Sequence, residues 1–147
     1  MERTFIMIKP DGVKRRLISS VIERFEKKGL YLTACKCMTP SREILTEHYG
    51  HLSKKPFFED MVNGMMSGMV LAMVWSGDNA VSIGRSILGE TNPLTAPMGT
   101  IRGDYGISIE KNIVHGSDSA ENAEKEIKLW IGTDVQAVVP FDKEWIY

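Results

Sequence analysis

The longest apolar run in the chain, Met69 to Trp75, sets the first limit on its fold. It is far too short to cross a bilayer, which takes about 20 residues as a helix. It reads instead as a strand buried in a sheet. The 147 residues of the chain suffice for one compact domain with a sizeable core, assigned to residues 1–147. No internal repeat, low-complexity tract or linker marks a boundary within it.

Periodicity supplies the other elements. Thr4 to Lys9 reads as a strand ended by a Pro10-Asp11-Gly12 turn. Leu17, Ile18, Val21, Ile22 and Phe25 mark a helical face, with Gly29 as its stop. Tyr31 to Met38 is a second strand. Helical segments are expected over Ser41–Leu52, Phe57–Met66 and Asp78–Leu88, and largely loop over Glu90–Arg102. Ile113 to His115 is a short fourth strand. Ala120, Ala123, Ile127, Trp130 and Ile131 form a last helical stripe, with Asp118 and Glu121 spaced as a capping box. The larger elements contain a βαββαβ core, the ferredoxin-like arrangement of class α+β. Helices on one face of a four-stranded antiparallel sheet would satisfy the layering rule. This fold hosts many functions and selects none.

Composition narrows the partners. A net charge of -1 gives no bulk attraction to nucleic acid or membrane, so binding of an anion must rest on local Lys and Arg. The charged N-terminus, Glu2 and Arg3, is not followed by a secretory apolar segment. Cys35 and Cys37 stand too close in sequence for an easy disulfide and suggest a reducing, cytoplasmic compartment. They read as small core residues. Several of the nine methionines fall within Met61 to Met73 and suit pliable packing.

Chemistry concentrates at Asn112-Ile113-Val114-His115-Gly116-Ser117-Asp118-Ser119. A neutral imidazole there offers phosphorus a nucleophilic lone pair. Gly116 removes bulk for the approach of a large anion. Ser117, Asp118 and Ser119 read as capping residues, and a helix N-terminus favours phosphate oxygens. No G-x-x-x-x-G-K phosphate loop, dinucleotide-binding glycine motif or H-E-x-x-H is present. His48 and His51 could share a metal but read better as a solvated helix face. Lys9, Tyr49, Arg85, Thr91, Arg102, Asn112 and Glu126 remain as scattered candidates, and each alone has an ordinary structural explanation.

Together they carry a resemblance. Ile8 to Val13, Lys55 to Phe58, Gly89 to Pro93, Gly99 to Asp104 and Asn112 to Ser119 are ordered as in nucleoside diphosphate kinases, followed by Ala123 to Ile127. The chain resembles that family over nearly its whole length. The resemblance implies ping-pong transfer of a terminal phosphate from a nucleoside triphosphate to a nucleoside diphosphate. It assigns His115 as the nucleophile and Glu126 as the carboxylate holding its ring, with Ser117 bridging. Lys9, Tyr49, Arg85, Thr91 and Arg102 surround the phosphates, and Asn112 with Lys9 contacts the sugar 3′-hydroxyl. Phe57 stacks on the base and Ile109 packs its other face, which tolerates any base. Mg²⁺ is expected on the phosphates and water rather than in a protein cage. The resemblance also implies a homo-oligomer, with length and tail favouring a hexamer over a tetramer. Its contacts would use the loop Thr91 to Thr100 and the tail to Tyr147. Met98 departs from the family pattern in that loop, where a second proline is expected beside Gly99.

Two alternatives compete with the enzyme. A non-catalytic nucleotide sensor needs a missing nucleophile or a broken phosphate cradle. A nucleic-acid-binding domain of this fold needs a basic face with exposed sheet aromatics.

Overall fold

A computed structural model describes every residue from Met1 to Tyr147. Strand β1 (Glu2–Ile8) runs into a short helix α1 (Pro10–Lys14), where a plain turn is predicted. Proline at the first helical position costs nothing there, because its missing N–H would have no intrahelical partner. Helix α2 (Ile18–Lys28) stops at Gly29, whose φ of 98° is the left-handed conformation expected of a helix-ending glycine. Strand β2 (Tyr31–Met38) follows, then α3 (Arg42–His48), capped by the Ser41 hydroxyl accepting from the Ile44 N–H. The helix expected over Ser41–Leu52 breaks at Tyr49 into a 3-10 turn, Gly50–Leu52. Then come α4 (Phe58–Met66), β3 (Val70–Gly77), α5 (Ala80–Leu88), α6 (Ile101–Tyr105), β4 (Val114–Gly116), α7 (Ala120–Trp130) and α8 (Lys143–Ile146).

The four strands form one antiparallel sheet in the order β2-β3-β1-β4. With α2 and α5 as the crossovers, this is the expected ferredoxin-like topology. Every residue of β3 is buried, and so is β1 from Thr4 to Ile8. Alternate side chains of a strand point to opposite faces, so two apolar faces result and both need cover. Helices accordingly lie on both faces, not on one as expected. On the first, Ile6, Ile8, Met73 and Trp75 pack with Val21 and Phe25 of α2 and Leu88 of α5. On the second, Phe5, Met7, Ala72 and Val74 pack with Leu45 of α3, Val62 of α4, and Ile127 and Trp130 of α7. Burying a side chain such as Phe5 or Phe25 stabilises the fold by roughly 1.5–3 kcal/mol.

Cys35 and Cys37 are free and exposed, not core residues. They lie on an edge strand, beyond the helical cover that encloses β1 and β3. The C-terminal segment folds back past the same edge. Gln136 donates its N–H to the Thr33 carbonyl (2.9 Å), and Tyr31 donates its hydroxyl to Asp142 Oδ1 (2.5 Å). The Tyr147 hydroxyl oxygen accepts from the Asp78 N–H (3.0 Å).

Candidate active site

Strand β4 pairs with β1 so that His115 stands opposite Met7 and projects to the second face, toward α7. Three residues make the inner part of the site. His115 Nε2 lies 2.5 Å from Glu126 Oε2, and the Ser117 hydroxyl donates to Glu126 Oε1 at 2.6 Å. Ser117 therefore supports the far oxygen of the carboxylate instead of standing between it and the ring. Burial alone would raise the Glu126 carboxyl. The His115 bond, the Ser117 hydroxyl and the nearby His48 together outweigh it and hold the group below its usual range. An ionised carboxylate only accepts, so Nε2 carries the ring proton. Nδ1 has no hydrogen-bond partner in the protein, and the side chain is 25% exposed, so the free lone pair is open to a ligand.

The backbone around this ring is gripped by cations. Buried Arg102 donates to three carbonyls: Gly89 (2.9 Å), Asn112 (3.2 Å) and Val114 (2.7 Å). Arg85 of α5 reaches the Gly116 carbonyl at 3.5 Å. Two guanidinium groups thus hold the peptide groups on either side of His115. Burial first, and then the charge of Arg85, lower Arg102 to about 10, still cationic at neutral pH. Lys9 Nζ donates to Asn112 Oδ1 (2.8 Å), and the Asn112 amide donates to the Thr91 carbonyl (3.1 Å). Burial lowers Lys9 as well, with Arg102 and Lys111 adding to the effect against Asp11. Crowding cations this way costs stability unless an anion joins them, so the cluster favours a polyanionic ligand.

The turn into β4 is strained. Ile113, a β-branched residue, has a φ of 76°. Such a conformation costs on the order of 1–3 kcal/mol and persists only where surrounding bonds impose it. Here Asp11 Oδ2 accepts from the Ile113 N–H (3.0 Å), and the Ile113 carbonyl accepts from the Lys9 N–H (2.8 Å). Helix α1 and the end of β1 thereby set the angle at which Asn112 and His115 are presented.

The family model described as nucleoside diphosphate kinase matches residues 2–135. The chain is 72% identical over 147 residues to a nucleoside diphosphate kinase of Encephalitozoon cuniculi, covering all of both chains. The chain belongs to the nucleoside diphosphate kinase family.

It is accordingly a phosphotransferase that binds nucleotides. Solved structures of the family superpose closely. The apo cubic crystal form of the Encephalitozoon cuniculi kinase gives a TM-score of 0.97, covering 100% of both chains. A Halobacterium salinarum nucleoside diphosphate kinase in complex with CDP gives 0.96 at 41% identity, covering 99% of this chain and 98% of that one.

Among the candidates of a nucleoside diphosphate kinase site, the structure joins Lys9, Thr91, Arg102 and Asn112 in one bonded cluster. His115, Ser117 and Glu126 form a second, and Arg85 reaches the latter strand from α5. Tyr49 packs edge-on against His48 (4.5 Å between centroids) rather than bonding His115. Burial, then the charge of Glu126, push its hydroxyl far above the usual range, so it stays a donor. Phe57 and Ile109 are exposed and outside both clusters. Three readings change. Gly116 is buried, and a Cβ there would meet Leu88 (2.6 Å) and Ile6 (3.1 Å); the glycine serves the contact of α5 with the sheet rather than approach of an anion. The cap of α7 is Ser119, accepting from the Asn122 N–H, in place of an Asp118–Glu121 box. His48 is no solvated residue: its side chain is 3% exposed and sits beside Glu126. Asp11, read as part of a turn, and Trp130, read as part of an apolar helical stripe, also have polar partners that the sequence did not suggest. No local pattern marks those bonds, because the partners lie 102 and 82 residues away in the chain.

Proposed function

We propose that this kinase carries the terminal phosphate of a nucleoside triphosphate on His115 Nδ1. The observation that supports this reading is the commitment of Nε2 to Glu126, which leaves Nδ1 as the one free lone pair beside Arg85 and Arg102. Nδ1 attacks the γ-phosphorus as the bond to the leaving diphosphate oxygen breaks. Nucleoside diphosphate departs and phosphohistidine remains. The β-phosphate oxygen of a second nucleoside diphosphate then attacks that phosphorus, the P–N bond breaks, and the ring regains its lone pair. A phosphorylated ring still protonated at Nε2 is cationic, and Glu126 offsets that charge. Lys9, Tyr49, Arg85, Thr91 and Arg102 stabilise the equatorial oxygens in line with the transfer. Asn112 and Lys9 hold the sugar hydroxyl, while exposed Phe57 and Ile109 receive the base without selecting it.

Mg²⁺ arrives with the nucleotide. It needs hard oxygen ligands, and the carboxylate beside His115, Glu126, already has both oxygens engaged. The cation is therefore part of the substrate, held by phosphates and water. Residues 1–147 act as one catalytic unit. A homo-hexamer would cover the apolar side chains left exposed on the loop and tail, among them Leu94, Met98, Phe141 and Trp145. The free thiols of Cys35 and Cys37 support a cytoplasmic setting. No helix is long and apolar enough to cross a membrane.

Brief incubation with terminally labelled ATP and Mg²⁺, without acceptor, should yield an acid-labile, alkali-stable phosphoprotein. Added GDP should discharge it into GTP. His115→Ala should fold and take up no label; a labelled variant would refute the assignment. Sedimentation of the purified protein tests the hexamer.

A further inference from the structure

Glu126 is approached by a second imidazole. His48 Nε2 lies 3.4 Å from Glu126 Oε2, the same oxygen that holds His115. The two rings meet edge to face, with centroids 4.7 Å apart and planes at 76°. On its other side, His48 Nδ1 accepts the indole N–H of Trp130 at 3.0 Å. Trp130 can only donate. A proton on His48 Nδ1 would set two N–H groups against each other, so the neutral ring must carry its proton on Nε2, facing the carboxylate. Burial, and then the neighbouring His115, lower His48 to about 4, so the ring is neutral at neutral pH.

The same bond decides against a different use of the cluster. His48, His115 and Glu126 offer three ligand atoms within 4.8 Å of one another, a spacing that suits a metal ion. Ligation through His48 Nε2 would require its proton on Nδ1, against Trp130. The trio is built for hydrogen bonding.

We propose that His48 is a positioning residue for phosphoryl transfer: with Nδ1 taken by Trp130, its N–H stands 3.4 Å from Glu126 Oε2 and electrostatically keeps that oxygen in place as the acceptor of the His115 ring proton. A His48 ring of the opposite tautomer would turn a lone pair toward Glu126 and compete for the proton on His115 Nε2. With that route closed, His115 keeps a single tautomer and Nδ1 stays unprotonated for attack. The inference rests on His115 being the phosphate carrier.

The test uses the full-length enzyme, single-turnover labelling from ATP, and ¹⁵N NMR of the histidine rings. His48→Phe keeps a ring but neither nitrogen. It should slow formation of the phosphoenzyme about tenfold, as expected for one lost polar contact to a charged group, while ADP affinity is unchanged. The His115 proton should spread over both ring nitrogens. His48→Gln, whose carbonyl can accept from Trp130 and whose amide can face Glu126, should recover most of the rate. Trp130→Phe frees Nδ1 while retaining His48, and should give the same tautomer mixing with a smaller loss; it decides the matter if His48→Phe does not fold. Wild-type rate in His48→Phe, or slow transfer with His115 still protonated only at Nε2 and no rescue by Gln, overturns the proposal in favour of mere packing. Absence of label on His115 in the wild-type enzyme defeats the phosphohistidine reading itself, and this one with it.

Discussion

The two faces of the sheet each bury a tryptophan and treat its indole N–H in opposite ways. On the first face Trp75 stacks on Phe25 (5.2 Å between centroids, 27° between planes), and its Nε1 has no hydrogen-bond partner. Thr4, directly across from Trp75 in the β1–β3 ladder, has an unpartnered hydroxyl as well. On the second face Trp130 stacks on Phe5 (5.8 Å, 24°), and its Nε1 is the first link of a chain through His48 and Glu126 to His115. One face tolerates orphaned polar atoms because apolar packing dominates it. The other spends buried volume on polar groups that are almost all partnered, because an unpaired one there would let a proton or a ring wander.

Mutations that separate stability from chemistry should break this symmetry further. Phe25→Ala on the first face is expected to cost about 3–5 kcal/mol of stability, with the rate per folded molecule unchanged. Denaturant unfolding together with active-site titration checks it, and a fall in turnover per folded molecule would show that the first face reaches the site. Glu126→Gln on the second face should do the reverse. It removes the charge that fixes the His115 proton, and phosphoenzyme formation should slow about 10–100-fold with only a modest fall in melting temperature. Stopped-flow quench measures the rate.

Acid should act through the second face as well. An unfolded chain takes up a proton on His48 near pH 6.5, whereas the folded ring resists until about 4. The unfolded state therefore binds more protons between these values, and stability falls as pH drops from 6.5 toward 4. The full effect is on the order of 3 kcal/mol. Glu126, held low in the fold, adds to the loss once the pH falls below its unfolded range. Melting curves across this window should be steeper for wild type than for His48→Phe; parallel curves would mean that His48 is not buried neutral. The smallest effect is expected for Trp75→Phe. Loss of an orphaned N–H offsets part of the lost volume, so the change should stay within about 1.5 kcal/mol, with labelling untouched.

Much of the topology was legible from local signals. The apolar run around Val70–Trp75, the stop at Gly29 and the stripe on α7 each state their own period or terminator. The misreadings fall where local chemistry is ambiguous. Pro10-Asp11-Gly12 is equally good turn and first-turn helix. Cys35 is as apolar as a core residue, and its exposure follows from β2 being an edge. Of the site, the ordered blocks around Lys9, Arg102 and His115 pointed to the family, while the family comparison and not periodicity secured it. The polar partners of His48, Asp11 and Trp130 carry no local mark, since a polar group on a helix looks alike whether it meets water or a buried side chain.

The sequence alone determined the order of the four strands and the larger helices, though not the short helices α1, α6 and α8, and the presence of one histidine in a short strand before a helix cap, because periodicity, glycine stops and capping are set by near neighbours. Only the tertiary structure decided that both sheet faces are covered, that Ile113 is held in a strained turn by Asp11, and that Trp130 faces His48 beside Glu126. Those contacts join residues far apart in the chain, and whether a polar atom is orphaned, ionised or locked in one tautomer depends on what lies within a few ångströms of it.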